Sequence, residues 1–167
     1  MDKKHFTRFY ETYVERIYKF VFYRVGGNKD VAEDLTHDIF LKAFQAFERY
    51  DPAISEVSWL YTIARNHLIN ENAKRRPGVA LEEVEGTLWV AVDFRQRFTS
   101  RHDEMKLLEA LGKIPEEDAK LIQMKYLEGW SFEDLAEVLN KKSGALRVQA
   151  TRALKKVKKL LRHPYEH

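Results

Sequence analysis

Apolar residues recur at three- and four-residue intervals through most of this chain, and few residues interrupt them. Phe6, Phe9, Tyr10, Tyr13, Ile17, Phe20 and Val21 form one such stripe before Gly26 and Gly27 end it. With only 7 Gly and 4 Pro in 167 residues, and few alternating β-branched runs, the pattern predicts an all-α protein. Asn28 is placed to cap a second helix that runs to about Arg49 and ends near Asp51-Pro52. A third helix is predicted from about Glu56 to Arg76, where Pro77-Gly78 halts it. Further helices are expected at about His102–Gly112, Pro115–Leu127, Ser131–Leu139 and Gly144–Leu161.

Between Pro77 and about Arg101 the periodicity fades, and Glu82, Glu83, Glu85 and Asp93 mix with scattered apolar residues. Unstructured stretches of this length are uncommon inside one compact domain. The reading is therefore two small helical domains, residues 1–77 and 102–163, joined by a flexible linker over 78–101. There is no cysteine, so disulfides, thiolate metal sites and cysteine nucleophiles are excluded. Met1 to Arg8 is polar, and no apolar run approaches membrane-spanning length, so a soluble cytoplasmic protein without membrane insertion is expected.

Three surfaces carry a possible function. On the second helix, Ala32, Leu35, Ile39, Ala43, Ala46 and Phe47 gather on the predicted buried side. Asp34, Asp38 and Leu41 point away from it, flanked by His37 and Phe44. An outward leucine and a flanking phenylalanine beside two carboxylates suit a protein docking patch, although ordinary surface acids with a stray leucine are the bland alternative. On the third helix, Leu60, Ile63, Ala64, His67 and Leu68 face inward. Trp59, Thr62 and Asn66 fall on the opposite arc, with Arg65 and Asn70 at its edges. An indole interleaved with amides and a base suits unstacked single-stranded bases, while a core role for the tryptophan is the competing reading.

The third surface is the C-terminal pair of helices. Ser131 is placed to cap the first, with Asp134 at the third helical position, where a capping box more often has the longer Glu or Gln. A turn over Asn140–Ser143 leads to a helix whose Leu146, Ala150, Ala153, Leu154, Val157 and Leu161 face inward. Arg147, Val148, Thr151, Arg152 and Lys155 face out. From Lys141 to Arg162 there are nine Lys or Arg and no Asp or Glu, against a net charge of +3 for the whole chain, so the remainder is acidic. In a helix-turn-helix the first turns of the second helix enter the major groove, which directs Arg147, Val148, Thr151 and Arg152 to base edges. Lys155, Lys156, Lys158 and Lys159 are then expected at phosphates. Enzyme readings find no support: the six histidines show no metal spacing, and no phosphate-cradling loop or nucleophile elbow is present. No cofactor, metal or catalytic residue is expected.

In this order the three surfaces resemble the sigma-70 family of bacterial transcription initiation factors, and most of all its extracytoplasmic-function (ECF) group. Ala32-Glu33-Asp34-Leu35-Thr36-His37-Asp38-Ile39-Phe40-Leu41-Lys42-Ala43-Phe44 is similar to the polymerase-binding helix of that group. Ser58-Trp59-Leu60-Tyr61-Thr62-Ile63-Ala64-Arg65-Asn66 is similar to its promoter-melting segment. Glu128-Gly129-Trp130-Ser131-Phe132-Glu133-Asp134-Leu135-Ala136, followed by Gly144-Ala145-Leu146-Arg147-Val148 and Thr151-Arg152-Ala153, is similar to its helix-turn-helix. The chain departs from the pattern at Gln149, where the group commonly has Arg, and at His37, where it commonly has Gln or Glu.

The resemblance implies a sigma region 2 bundle and a sigma region 4 helix-turn-helix, joined by a linker that approaches the active centre of RNA polymerase. It implies that Asp34, Asp38, Leu41 and Phe44 dock on core RNA polymerase. Trp59, Thr62, Arg65, Asn66 and Asn70 would hold the opened minus-10 element of promoter DNA, and Arg147, Val148, Thr151, Arg152 and Lys155 would read the minus-35 duplex. It also implies an anti-sigma factor as partner. The rival expectation is a stand-alone helix-turn-helix regulator that binds duplex DNA as a dimer; it has no need of the Asp34-Asp38-Leu41 patch or the Trp59-Asn66 stripe.

Overall fold

A computed structural model describes residues 2–75, 78 and 102–162. The linker expected over 78–101 falls almost wholly outside the described residues, as does Arg76. Seven α-helices are described: α1 Lys3–Arg24, α2 Lys29–Ala46, α3 Glu56–Arg75, α4 His102–Leu111, α5 Glu116–Ile122, α6 Phe132–Val138 and α7 Ser143–Arg162. A 3-10 turn, Phe47–Arg49, extends α2, and α5 runs on through a π turn at Gln123–Leu127. There is no strand among the described residues.

Helix ends follow the expected chemistry. Asp2 caps α1 and Asn28 caps α2, the latter accepting from the Val31 amide at 3.2 Å. Gly26 takes a left-handed φ of 65°, and the Gly27 amide reaches back to Phe22 O at 2.9 Å, closing α1 with a Schellman turn. Asn140 does the same for α6: its φ is 52°, and the Lys141 amide bonds Ala136 O at 3.0 Å. Left-handed backbone at a non-glycine is cheapest for Asn, so this residue sets the turn between α6 and α7.

The first three helices pack around Phe9, Ile17, Phe20, Ile39, Leu60, Ala64 and Leu68, with Ala32 and Ala43 buried where α2 closes on its neighbours. In the second bundle Leu121, Ile122, Leu135, Leu146, Ala150, Ala153 and Val157 are buried. The inward stripe of α7 departs from expectation at its end. Leu161 is exposed, and Leu160 packs on the core in its place. The row Ala150, Ala153, Val157, Leu160 keeps the three- and four-residue spacing that the alternative choice of Leu161 also satisfies.

The two bundles are not apart. Trp130, just before α6, is fully buried with its ring 5.7 Å from Tyr61 of α3 and 6.2 Å from Phe20 of α1. Burying an indole removes roughly 150–250 Å² from water, worth at most about 4–6 kcal/mol. Beside it, Glu128 accepts from Arg24 Nη1 of α1, from Gln123 Nε2 at 3.0 Å and from Trp130 Nε1 at 3.0 Å. The Arg24 and Glu128 side chains are 1% and 0% exposed. The π turn brings Gln123, Met124 and Glu128 to this seam, since the Glu128 amide bonds Gln123 O at 3.1 Å.

A second pair crosses at the edge, Arg16 of α1 with Asp134 of α6, and the Arg16 guanidinium lies 5.4 Å from the Trp130 ring. Asp134 stands at the third helical position, where a capping box more often has the longer Glu or Gln. The Ser131 hydroxyl does cap α6, accepting from the Asp134 amide at 3.0 Å, but the Asp134 carboxylate pairs with Arg16 instead. Burial at the seam pushes the Tyr61 phenol up to about 12, against the lowering pull of Arg24 and Arg65.

Candidate nucleic-acid and protein-docking surfaces

The outer face of α2 matches its sequence pattern. Ala32, Leu35, Ile39 and Ala43 are buried, which turns Asp34, His37, Asp38 and Leu41 outward, all of them exposed. Leu41 is 47% and Phe44 41% exposed, large values for apolar side chains on a helix with a complete core side. Phe44 is braced rather than loose, its ring edge-on to Phe6 of α1 at 5.0 Å. Tyr10 of α1, also exposed, lies 4.9 Å from Phe40 and adds an aromatic that the α2 pattern alone did not indicate. Beneath Asp38 sits His67 of α3, 5% exposed, with Nε2 3.6 Å from Asp38 Oδ2. Burial first, then Lys42, holds the ring below its ordinary pKa, so it is neutral near pH 7.

On α3 the expected stripe is divided. Thr62, Asn66 and Asn70 are exposed, and the Thr62 hydroxyl donates to Ser58 O at 2.9 Å. Trp59 is half-buried, not fully outward. Its ring meets Tyr50 at 4.9 Å, Phe9 at 5.9 Å and Phe47 at 6.0 Å, and Tyr50 stacks on Phe47 with a 15° interplanar angle. Aromatic stacking on partners from α1 and the turn after α2 outweighs the pull of helical phase, so the indole is both a core edge and a partly open ring. Arg65 is also half-buried, and its charge is felt by Tyr61 of α3 and by Lys120 of α5. No signal within the α3 sequence marks Tyr50 as a neighbour of Trp59.

In the helix-turn-helix, α7 exposes Arg147, Val148, Thr151, Arg152 and Lys155, as its phase requires once Leu146, Ala150 and Ala153 are buried. Val148 is 51% exposed. Arg147 is held from α6: its Nη2 donates to Glu133 Oε1 and its guanidinium lies 4.8 Å from the Phe132 ring. The Thr151 hydroxyl donates to Arg147 O at 2.9 Å. Gln149 is half-buried, its Nε2 donating to Asp118 Oδ1 of α5 at 2.9 Å. Lys156, expected at phosphates, pairs with the other oxygen of the same carboxylate at 3.2 Å.

The structure thus exposes Asp34, Asp38, Leu41 and Phe44 together on α2 and Arg147, Val148, Thr151, Arg152 and Lys155 together on α7, whereas on α3 it exposes Thr62, Asn66 and Asn70 beside a partly open Trp59 and leaves Arg65 half-buried. No group of three or more His, Cys, Asp or Glu is arranged for a metal among the described residues, and no described helix is long and apolar enough to cross a membrane.

Comparison with known proteins agrees with this arrangement. Residues 9–77 match the model of Sigma-70 region 2, and residues 104–157 that of Sigma-70, region 4. The chain is 30% identical over 141 residues to the RNA polymerase sigma factor CarQ of Myxococcus xanthus, covering 83% of this chain and 79% of CarQ. It is 26% identical to the ECF RNA polymerase sigma factor SigW of Bacillus subtilis, covering 96% and 91%. Against the ECF RNA polymerase sigma factor BldN of Streptomyces coelicolor it is 29% identical over 93% of its own length, but spans only 60% of that protein. The fold is similar to that of the sigma factor RpoE solved with the anti-sigma factor NepR from Bartonella quintana, with a TM-score of 0.58 at 24% identity over 95% of this chain and 98% of that one. It is also similar to CnrH solved with the cytosolic domain of CnrY, with a TM-score of 0.59 at 19% identity over 96% and 89%. With both regions matched in order and relatives of the same type along most of its length, the chain belongs to the sigma-70 family, as an ECF-type RNA polymerase sigma factor.

Proposed function

We propose that this protein is a dissociable initiation subunit of bacterial RNA polymerase that performs no covalent chemistry and acts in the cytoplasm. It converts the energy of binding core polymerase into promoter recognition and strand opening. The observation that carries this is the α2 face, where Leu41 and Phe44 stand half exposed beside Asp34 and Asp38 with Phe44 braced by Phe6. A self-sufficient repressor has no use for such a patch, whereas a subunit that must join a larger enzyme does.

In this reading residues 1–77 dock the polymerase and open the promoter, residues 78–101 link, and residues 102–163 read duplex. Asp34, Asp38, Leu41 and Phe44 contact core polymerase. Trp59, Thr62, Arg65, Asn66 and Asn70 capture unstacked bases of the minus-10 element, which offsets an unpairing cost of a few kcal/mol. Arg147, Val148, Thr151 and Arg152 meet base edges of the minus-35 duplex, and Lys155 a phosphate. An anti-sigma factor is the natural regulatory partner, because the similar sigma factor RpoE was solved with one. Run-off transcription with core polymerase on a library of upstream sequences tests the reading. Transcripts that depend on both the added chain and particular upstream sequences are expected. Equally tight site-specific duplex binding without polymerase, and no transcripts with it, would replace this reading with the stand-alone regulator.

A further inference from the structure

Asp118 lies on α5, outside the recognition helix, yet both oxygens of its carboxylate are taken by residues of α7. Oδ1 accepts from Gln149 Nε2 at 2.9 Å and Oδ2 from Lys156 Nζ at 3.2 Å. The Asp118 side chain is 16% exposed and that of Lys156 is 52% exposed. Gln149 and Lys156 are seven residues apart and so share one face of α7. Val148 and Arg152 line a groove of about 510 Å³ with Asp118, Ala145, Gln149 and Lys156. This groove is continuous with the surface that carries the base-reading residues.

An ionised carboxylate only accepts, so the Gln149 amide must present its NH₂ to Asp118 and turn its Oε1 the other way. The same carboxylate neutralises Lys156 locally. Arg152 and Lys155 on the neighbouring turn carry no such counter-charge among the described residues. A lysine held by a carboxylate releases no counterion when duplex arrives, and so adds nothing to sequence-independent affinity.

We propose that Asp118 is a positioning residue that sets DNA specificity: it orients Gln149 for readout and withdraws Lys156 from the phosphate contacts, so that duplex recognition rests on bases more than on charge. The proposal rests on the reading of α7 as the duplex-binding helix.

The test measures the salt dependence of binding for the full chain with core polymerase, on a promoter duplex taken from the transcribed library and on a scrambled duplex. Asp118→Ala should steepen the log–log salt slope by about 0.9, one extra phosphate. It should also lower the preference for promoter over scrambled duplex about fivefold, the low end of a base contact. Asp118→Asn, which keeps an acceptor for Gln149 but no charge for Lys156, should steepen the slope and retain the preference. Lys156→Ala should leave the wild-type slope unchanged and restore it in the Asp118→Ala background. A wild-type slope that flattens by about 0.9 in Lys156→Ala would overturn the proposal, as would an Asp118→Ala variant with unchanged slope and preference. The charge arm is also read with the full chain alone on scrambled duplex, so it is decided even where polymerase association fails.

Discussion

Glu128→Ala removes the shared acceptor at the centre of the seam between the two bundles. In the native protein this carboxylate takes hydrogen bonds from Arg24, Gln123 and Trp130, and neither charged side chain is more than 1% exposed. Loss of one member of a buried, hydrogen-bonded ion pair leaves the other charge dry and costs about 3–5 kcal/mol. For a chain of this size that corresponds to a fall in melting temperature of roughly 6–20 °C. Urea unfolding followed by far-ultraviolet circular dichroism and tryptophan fluorescence measures it. The companion Arg24→Met/Glu128→Met double variant should recover most of the loss, because no charge is then stranded. A Glu128→Ala protein within about 0.5 kcal/mol of wild type, the range of an ordinary surface substitution, would refute the reasoning.

Leu41→Asp should abolish association with core polymerase while helicity is retained, as measured by co-purification and circular dichroism; unchanged association would remove the docking role of α2. Trp59→Ala should reduce open-complex formation more than initial promoter binding, read by permanganate reactivity against gel shift, and an equal loss in both would show that only the Phe9, Phe47 and Tyr50 packing mattered. Arg147→Ala should cost about 1–3 kcal/mol at one upstream base pair; equal weakening on every sequence would make it a phosphate contact. Burial holds the His67 ring below its ordinary pKa in the folded chain, with Asp38, Glu71, Lys42 and Lys74 as its charged neighbours, while the unfolded ring titrates near 6.5. The unfolded state therefore takes up a proton that the folded state resists, so stability is full above about pH 6.5 and falls as the pH drops below it. His67→Leu should flatten that slope in urea titrations between pH 5 and 7, and a slope equal to wild type would assign the acid sensitivity elsewhere.

What could be read from the sequence was what repeats locally. The phase of α2 placed Leu41 and Phe44 correctly because its core side is dense with Ala32, Leu35, Ile39 and Ala43, and the phase of α7 placed Arg147 to Lys155 for the same reason. The features that escaped depend on partners distant in the chain. Trp59 turned inward for Phe9 and Phe47, the Asp134 carboxylate paired with Arg16, and Gln149 was tied to Asp118 on another helix. Glu128 and Trp130 looked like ordinary members of the helix-turn-helix motif. Their contact with α1 and α3 is made by residues about a hundred and about seventy positions away, beyond the reach of any periodicity.

The chemistry of that seam also bears on how easily it parts. A junction built from aliphatic side chains alone would gain nothing from water on separation, whereas carboxylate and guanidinium each regain a hydration shell once exposed. Arg24 and Glu128 therefore make the closed arrangement specific in register without making it correspondingly tenacious. Solvent offers both ions a welcome outside, so the joint is suited to being undone and remade.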